Sequence, residues 1–315
     1  MSPTQGRIVF PEVGRTKGDV VGYYERIAPR LLPHVRERPL SIRRYPKGLA
    51  GPGFFQKNVP AHYPASIERF AVPRSPTAAR KHPRRGSQPA EVTVFPVVRE
   101  AEHIAYLANQ GAIELHVPTS RVPDAFRPDR VVIDLDPPEG ALAAARRAAH
   151  LTREKLAAFG LAAVPVATGS KGYHVVAAIE PALDFMTIAL TTQKFAALLA
   201  ADHASELSTM YRKALRGGRV FIDWLRNNPG ATVVAPYSLR ALPRAPIATP
   251  LAWEEIDTFA PDAFTIDDVD RVGDRPDLVS DQAASPQDAA RFVATVGDAF
   301  ERSGLVLETF DRFRS

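Results

Sequence analysis

Two aspartates stand two positions apart in an apolar, β-branched stretch, Val131-Val-Ile-Asp-Leu-Asp136. Because side chains alternate across a sheet, Asp134 and Asp136 would share one face of a strand, about 7 Å apart between their Cα atoms. Two carboxylates this close repel each other, and a divalent cation relieves that repulsion. The pair therefore predicts a metal site. Strand-end caps or ion-pair partners are the alternative, because short motifs often occur by chance.

A third carboxylate, Asp223, lies in a second apolar stretch, Phe221-Ile-Asp-Trp-Leu225. Three converging aspartates are typical of a two-metal phosphoryl-transfer site. In such a site one ion activates an attacking 3′-hydroxyl, and the other holds a triphosphate and its leaving group.

Phosphate-binding chemistry is indicated by Thr168-Gly-Ser-Lys-Gly172, which is predicted to connect two strands and is followed by His174. Its small residues allow close approach of the backbone, and Lys171 supplies a positive charge for phosphate. It is not a P-loop, because the spacing and the following helix are missing. An ordinary turn with a solvated lysine stays open.

Two further side chains could contact a nucleotide. Arg240, in Pro236-Tyr-Ser-Leu-Arg240, could clamp phosphate oxygens with its planar guanidinium. His116, in Glu114-Leu-His116, stands beside an apolar strand. Taken alone, each is as compatible with a surface or structural role.

Composition limits the class of protein. The chain has 315 residues and no cysteine, which excludes disulfides and thiolate metal sites. It has no long apolar run and no signal peptide, so a cytoplasmic protein is expected. Residues 257–315 contain 13 acidic residues and 6 arginines, which gives this segment a net charge of −7. Because the whole chain has a net charge of +5, the other 256 residues together carry +12. A basic body favours a polyanionic partner.

The elements that must position these residues can be read from apolar spacing and from turn residues. Helices are predicted at 18–34, 100–110, 141–159, 187–201 and 287–300. Strands are predicted at 7–11, 39–45, 91–98, 112–117, 131–135, 163–167, 173–179, 219–225 and 232–235. Residues 73–90 are predicted to form a basic loop interrupted by prolines, and residues 244–250 are predicted to form another loop. Strands and helices that do not alternate regularly predict an α+β fold.

In this order, the segments resemble the polymerase domain of bacterial ligase D, a member of the archaeo-eukaryotic primase superfamily. The resemblance covers about residues 7–256 and continues more weakly beyond. The matching stretches are Lys17-Gly-Asp19, Tyr23-Tyr24, Ile27-Ala-Pro29, Leu32-Pro-His34, Arg38-Pro39, Arg43-Arg-Tyr-Pro46, Phe54-Phe-Gln-Lys57, Glu114-Leu-His-Val-Pro118, Asp134-Leu-Asp-Pro137, Gly169-Ser-Lys-Gly172 with His174, Val220-Phe-Ile-Asp-Trp224 and Ala235-Pro-Tyr-Ser-Leu-Arg240.

The resemblance implies a role for each matching position. The metal ligands and catalytic residues would be Asp134, Asp136 and Asp223, with two Mn²⁺ or Mg²⁺ ions. The nucleotide would be contacted by His116, Thr168, Ser170, Lys171 and Arg240, with Arg44 and Lys57 as further cations. The DNA would be contacted by Phe54 and Phe55, which stack on template bases, and by Arg7 and Lys17, which take a downstream 5′-phosphate.

The resemblance also implies an organisation and a function. Residues 1–256 would form the primase-polymerase domain, with mixed or antiparallel sheets forming a cleft flanked by helices. Within it, about 1–70 would bind DNA ends, 73–90 would be the basic loop and 91–256 the catalytic core. Residues 257–315 would be an acidic extension packed on the core or trailing it. No ligase or nuclease module is expected.

The function implied is template-directed addition of ribonucleotides or deoxyribonucleotides to 3′-hydroxyl ends. It would fill short gaps or extend ends during non-homologous end joining or excision repair. DNA ends, nucleotide triphosphates, the Ku protein and a separate ligase are the expected partners of a nucleoid-associated monomer.

Two alternatives remain open. An Asp-x-Asp pair also serves glycosyltransferases, where it binds a metal-linked nucleotide sugar. A non-catalytic module that binds DNA ends and recruits repair partners would also be basic. The presence of all three aspartates favours the enzyme.

Overall fold

The computed structural model describes residues 5–73 and 92–307, so the predicted loop at 73–90 lies outside the described residues except for Pro73. The strands are β1 (Ile8–Phe10), β2 (Arg15–Thr16), β3 (Ser41–Arg44), β4 (Phe54–Gln56), β5 (Glu68–Pro73), β6 (Val92–Val97), β7 (Ala112–Val117), β8 (Arg130–Asp136), β9 (Val164–Ala167), β10 (Tyr173–Ala178), β11 (Leu207–Ser208), β12 (Val220–Asp223), β13 (Val233–Val234) and β14 (Thr249–Pro250).

The helices lie between and after these strands. They are α1 (Lys17–Val35), α2 (Ala101–Asn109), α3 (Leu142–Ala158), α4 (Phe185–Asp202), α5 (Val269–Gly273), α6 (Leu278–Ala283) and α7 (Ala290–Ser303). Short 3₁₀ turns join several elements, among them Trp224–Asn227 directly after β12. No helix in the described ranges is both long and apolar enough to cross a membrane.

Two larger sheets organise the molecule. The first has six strands in the order β11-β12-β8-β10-β9-β14, with all neighbours antiparallel except β11 and β12. The second has four antiparallel strands in the order β13-β7-β3-β4. Two further pairs, β1-β2 and β5-β6, complete the sheets of the described chain. Antiparallel sheets with flanking helices confirm the predicted α+β class.

The helices cover the sheets through apolar faces. Helix α3 buries Ala145, Ala148 and Ala149, small side chains that let it pack closely on β8 and β10. Helix α1 begins with a capping box, in which the Thr16 hydroxyl accepts from the Asp19 amide and the Asp19 carboxylate accepts from the Thr16 amide. Such reciprocal caps satisfy amides that a helix start would otherwise leave unpaired.

The described part of the acidic segment packs on the core. Phe292 and Val296 of α7 are buried in the common core cluster, and α7 contacts α4. The Ile247 amide donates to the Phe264 carbonyl over 2.8 Å. These contacts do not test the proposed boundary at residue 256, which stays a prediction.

One loop prediction was wrong. Residues 244–250 were predicted as a loop, but Thr249 and Pro250 form β14 and pair with β9. β14 is an edge strand of its sheet, the position where a proline that cannot donate is tolerated. Helices α5 and α6 were not predicted, because such short helices carry too little periodicity, and strand β5 was not predicted either.

Candidate active site

The three aspartates meet at the boundary of two neighbouring strands. Asp134 and Asp136 project from β8, and Asp223 ends β12, where the antiparallel register sets it opposite Asp134. All three line one cavity of about 350 Å³. Asp223 lies 87 positions after Asp136 in the chain. The alternation of side chains along β8 and the pairing of β8 with β12 are therefore sufficient to bring all three carboxylates into one cluster.

Basic side chains neutralise this cluster. Arg226 spans two carboxylates, with Nε 3.0 Å from Asp134 Oδ2 and Nη2 3.0 Å from Asp223 Oδ2. Asp136 has two cations of its own, Lys171 Nζ and Arg216 Nη1, each at 2.9 Å.

The pKa values follow this unequal pairing. Burial and the charge of Asp134 raise the pKa of Asp223 to about 6, and the shared Arg226 only partly offsets them. Burial also opposes ionisation of Asp136, but hydrogen bonds and charges from Lys171 and Arg216 outweigh it and lower the pKa. The negative charge is thus least compensated between Asp134 and Asp223.

No group of three or more His, Asp or Glu side chains in residues 5–73 and 92–307 is arranged to hold a metal ion directly. The donor chemistry nevertheless fits Mg²⁺ or Mn²⁺, because these ions prefer carboxylate oxygens. Burial first, and then the like charge of Asp134, raise the pKa of Asp223, and a bound cation would relieve the repulsion between the two carboxylates. In the present arrangement Arg226 supplies the positive charge between the two strands.

The turn at 168–172 lies beside the aspartates. Thr168, Ser170, Lys171 and Gly172 all line the cavity. The Thr168 hydroxyl donates to the Gly172 carbonyl over 2.8 Å, so in this structure it closes the turn itself. A Cβ on Gly172 would lie only 1.9 Å from the Leu135 carbonyl oxygen, so only glycine allows this approach to β8.

His174 is buried on β10 opposite Asp134. Its Nε2 is 3.6 Å from Asp134 Oδ1. Burial lowers the pKa of His174 to about 4 although Asp134 acts in the opposite direction. The imidazole is therefore neutral at physiological pH, and it lies beside Asp134 without adding a positive charge.

The opposite wall of the cavity comes from the four-stranded sheet. His116 of β7 and Phe55 of β4 line it, with their rings 5.2 Å apart in an edge-to-face contact. Arg240 also lines the cavity, and its Nη1 donates to the Thr168 carbonyl.

The remaining predicted residues lie outside the cavity lining. Phe54 is 48% exposed next to Phe55, which is 55% exposed. Arg44 lies over the Phe54 ring and donates to the Gln110 carbonyl, while Lys57 is exposed. None of Phe54, Arg44 and Lys57 is among the described residues lining the cavity.

Arg7 and Lys17 are neighbours, and neither is among the described residues that line the cavity. The Lys17 amide donates to the Arg7 carbonyl over 2.8 Å. Burial and the nearby Arg7 charge both lower the pKa of Lys17. Two like charges brought together in this way are suited to a shared anion.

Sequence reasoning missed three charged residues of the site. Arg226 follows Asp223 by three positions on the 3₁₀ turn, so its spacing was a usable signal. Arg216 reaches Asp136 from a loop 80 positions away, and no local pattern indicates that contact. Glu114 was read only as part of a motif, yet it is buried and bonds His116.

A family model described as "LigD, primase-polymerase domain" matches residues 16–279. The chain belongs to the LigD primase-polymerase family. The resemblance drawn from the sequence is thereby confirmed, and the chain is a nucleotidyltransferase of the primase-polymerase type. The glycosyltransferase alternative is wrong.

LigD proteins of several bacteria are similar to this chain. The "Multifunctional non-homologous end joining protein LigD" of Mycolicibacterium smegmatis is 30% identical over 253 residues, which cover 79% of this chain and 31% of that protein. The "Bifunctional non-homologous end joining protein LigD" of Bacillus subtilis is 30% identical over 289 residues, or 90% of this chain and 44% of that protein. The chain therefore spans less than half the length of these curated relatives.

A solved structure has the same fold. It is described as "Polymerase Domain from Mycobacterium tuberculosis Ligase D in complex with DNA". It is 30% identical, with a TM-score of 0.79, and the match covers 91% of this chain and 98% of the other. The roles of individual residues in this LigD-family chain stay predictions.

Proposed function

We propose that this chain adds ribonucleotides or deoxyribonucleotides to 3′-hydroxyl ends in template order, and so fills short gaps or extends ends at DNA breaks. The observation that carries the proposal is one cavity that joins three acidic residues, Asp134, Asp136 and Asp223, to basic and small residues on its other sides. The names of the relatives, which refer to non-homologous end joining, favour break repair over excision repair.

The nucleotide would lie between the two sheets. Lys171 and Arg240 offer positive charge to the triphosphate, and Ser170 and the turn backbone allow close approach. Lys171 already lies 2.9 Å from Asp136, so one side chain can reach both the acidic cluster and a phosphate beside it. His116 would contact the nucleotide from the opposite wall.

Asp134, Asp136 and Asp223 would hold the Mn²⁺ or Mg²⁺ ions. When bound, such ions activate the 3′-hydroxyl and neutralise charge on the triphosphate and the leaving pyrophosphate. The protein's part is to keep the three carboxylates on adjacent strands and to hold Arg226 beside them. To free carboxylate oxygens for an ion, Arg226 would give up its present contacts and could turn to phosphate.

DNA would be held on the side of the second sheet. The exposed rings of Phe54 and Phe55 are suited to stacking on bases, a contact worth about 1–3 kcal/mol per base. Arg7 and Lys17 would take the 5′-phosphate at the far side of a gap. The related Mycobacterium tuberculosis polymerase domain was solved with DNA. A Ku protein and a separate ligase would be partners at the nucleoid.

Extension of a gapped duplex tests the proposal. Asp134→Ala or Asp136→Ala should reduce single-turnover extension with Mn²⁺ by more than about a hundredfold while leaving gap affinity within a few-fold. Asp202→Ala is the matched control, since that aspartate pairs with Lys155 outside the cavity. Extension by either active-site variant at the wild-type rate would exclude the assignment.

The same assay can be run on gaps with and without a 5′-phosphate, with each nucleotide type, and with Mn²⁺ or Mg²⁺. Arg7→Ala and Lys17→Ala should each remove the preference for the phosphorylated gap. Loss of extension on both kinds of gap would instead indicate a structural role for these residues.

A further inference from the structure

Glu114 is a buried carboxylate bonded to His116, which lines the cavity, and the proposed chemistry gives Glu114 no task. It lies in the middle of β7, opposite Arg43 of β3, and is 1% exposed. Since side chains alternate along a strand, it shares a face with His116. A buried carboxylate is costly unless every lone pair has a donor, so the identity of its donors is informative.

The two oxygens of Glu114 have different donors. Oε1 accepts from the Ala241 amide at 2.9 Å and from Arg43 Nη1 at 3.2 Å, and lies 3.6 Å from Arg240 Nε. Oε2 accepts from His116 Nε2 at 2.7 Å. One oxygen thus anchors the segment that carries Arg240, and the other holds the ring of His116.

The bond to His116 sets the position of a proton. Burial alone would raise the pKa of Glu114, but the His116 hydrogen bond and the Arg240 charge outweigh it and lower the pKa to about 2. An ionised carboxylate only accepts, so Nε2 of His116 must carry the proton. Burial also lowers the pKa of His116, and in the neutral ring the other nitrogen, Nδ1, can then only accept.

We propose that Glu114 is a positioning residue that fixes the ring orientation and the Nε2–H tautomer of His116, so that His116 offers an acceptor to a hydroxyl or amino group of the nucleotide. This rests on the proposed function, in which His116 contacts the nucleotide. Glu114 itself does not touch the substrate. It acts through His116, as an outer carboxylate orients a histidine in many polar sites.

Glu114→Gln isolates this role. The donors at Oε1 hold the amide oxygen of glutamine on that side, which turns the amide NH₂ toward His116. An NH₂ group donates, so His116 Nε2 must accept and the proton moves to Nδ1. Glutamine keeps the size of the Glu114 side chain and most of its contacts, whereas the His116 ring now offers the nucleotide a donor instead of an acceptor.

Two measurements on the full chain test the proposal. ¹⁵N NMR of histidine-labelled protein, with the His116 signal assigned by its loss in His116→Asn, should show the Nε2–H tautomer in the wild type and the Nδ1–H tautomer in Glu114→Gln. Titration calorimetry of ATP with Mn²⁺, a templating thymine and a primer lacking its 3′-hydroxyl should show about tenfold weaker binding in the variant, the effect expected of one mismatched hydrogen bond.

Asp277→Asn is the matched control. Asp277 makes the same kind of buried bond, with its Oδ2 2.9 Å from His34 Nε2, but neither residue lines the cavity. That variant should leave ATP affinity within twofold. In a His116→Asn background, Glu114→Gln should add less than a twofold loss, because coupled residues are not additive.

An unchanged His116 tautomer in Glu114→Gln overturns the proposal. A switched tautomer with wild-type ATP affinity also overturns it. So does a tenfold loss of ATP affinity when Glu114→Gln is added to His116→Asn. A wild-type chain that binds no ATP would overturn the proposed function itself, which separates the two failures. If Glu114→Gln does not fold, wild-type ATP affinity in His116→Asn overturns the positioning role together with the proposed contact between His116 and the nucleotide.

Discussion

At the scale of single residues, basic side chains neutralise the three carboxylates of the site unequally. Asp136 has two cations at 2.9 Å, whereas Asp134 and Asp223 share one arginine. The pKa of Asp223, raised to about 6 by burial and by Asp134, is the result. Any added positive charge therefore stabilises the molecule most at the Asp134–Asp223 pair, the place where a divalent ion is proposed.

Arg226→Gln should make the fold depend on divalent ions. The substitution leaves two close carboxylates without their shared cation, so we expect a loss of about 1–2 kcal/mol in EDTA, less than for a fully buried pair because Arg226 is 39% exposed. Mn²⁺ should restore more of the free energy of unfolding in this variant than in the wild type. Urea unfolding with EDTA or Mn²⁺ measures both effects.

Arg99→Gln is the control for that experiment. Arg99 also bridges two carboxylates, Glu37 and Glu68, and is 41% exposed. These residues do not line the cavity, so Mn²⁺ should not rescue the variant. Equal rescue of both variants by Mn²⁺ would show a nonspecific ion effect and would argue against ion binding at the Asp134–Asp223 pair.

The sequence predicted the site residues that stand inside motifs. Asp134, Asp136, Asp223, Lys171 and Arg240 all line one cavity, because strand alternation and a turn between strands are local properties. It did not predict Arg216 or the role of Glu114. Their contacts join residues far apart in the chain, such as the pair of Arg216 with Asp136, and only the folded sheet brings them together.

At the scale of elements, the site depends on how closely the 168–172 turn approaches β8. Asp134 and Asp136 flank Leu135, and the Leu135 carbonyl oxygen is the atom that a Cβ on Gly172 would meet at 1.9 Å. Real Cβ atoms do not come this near to backbone oxygen, so either β8 or the turn would have to move. The positions of the two aspartates and of Lys171 are thus fixed by one glycine.

Gly172→Ala should therefore impair catalysis more than folding. We expect nucleotide extension to fall at least about tenfold, because misplacing reacting groups by an ångström is costly, and the melting temperature to fall by several degrees. Single-turnover extension and thermal unfolding give the two quantities.

Gly297→Ala is the control variant, since Gly297 lies inside α7 and a Cβ there would have no neighbouring atom within 4 Å. Alanine should leave extension unchanged and stabilise the helix slightly. Wild-type extension by Gly172→Ala would show that the turn adapts and that the close approach is not required.

Among the elements, the sequence predicted those with long apolar periodicity. The helix predicted at 18–34 is α1 (Lys17–Val35), and the strand predicted at 112–117 is β7. It missed β14, two residues including a proline, since pairing with β9 is a tertiary contact. Short elements owe their existence to neighbours, so propensity alone could not indicate them.

At the scale of the whole molecule, the two larger sheets are joined by an ion pair whose arginine is fully buried and whose aspartate is 20% exposed. Arg38, fully buried just before β3, donates from Nη1 to Asp129 Oδ1 at 2.9 Å and to the Ser120 carbonyl at 3.0 Å. Asp129 immediately precedes β8 and also accepts from Arg121 and Arg130. The cavity lies between these sheets, so this pair helps to set its width.

Burial acts to raise the pKa of Asp129, but the charges of Arg38 and Arg130 outweigh it and hold the pKa far below its usual range. A lowered native pKa means that the carboxylate contributes stability above its unfolded pKa and that this is lost as pH falls toward the native pKa. Asp129→Asn should cost about 3–5 kcal/mol at pH 7, because it leaves a buried arginine without its partner.

The difference in the free energy of unfolding between the wild type and Asp129→Asn should become smaller by about 1 kcal/mol between pH 5 and pH 3, because the carboxyl of Asp129 takes up a proton in the unfolded chain over this range. Urea unfolding at pH 7, 5 and 3 measures it. Asp124→Asn is the control, since its pair with Arg127 is more than half exposed and should change stability by less than about 0.5 kcal/mol. A difference that stays constant from pH 7 to pH 3 would show that Asp129 packs there without acting as a charge, and that shape alone holds the sheets together.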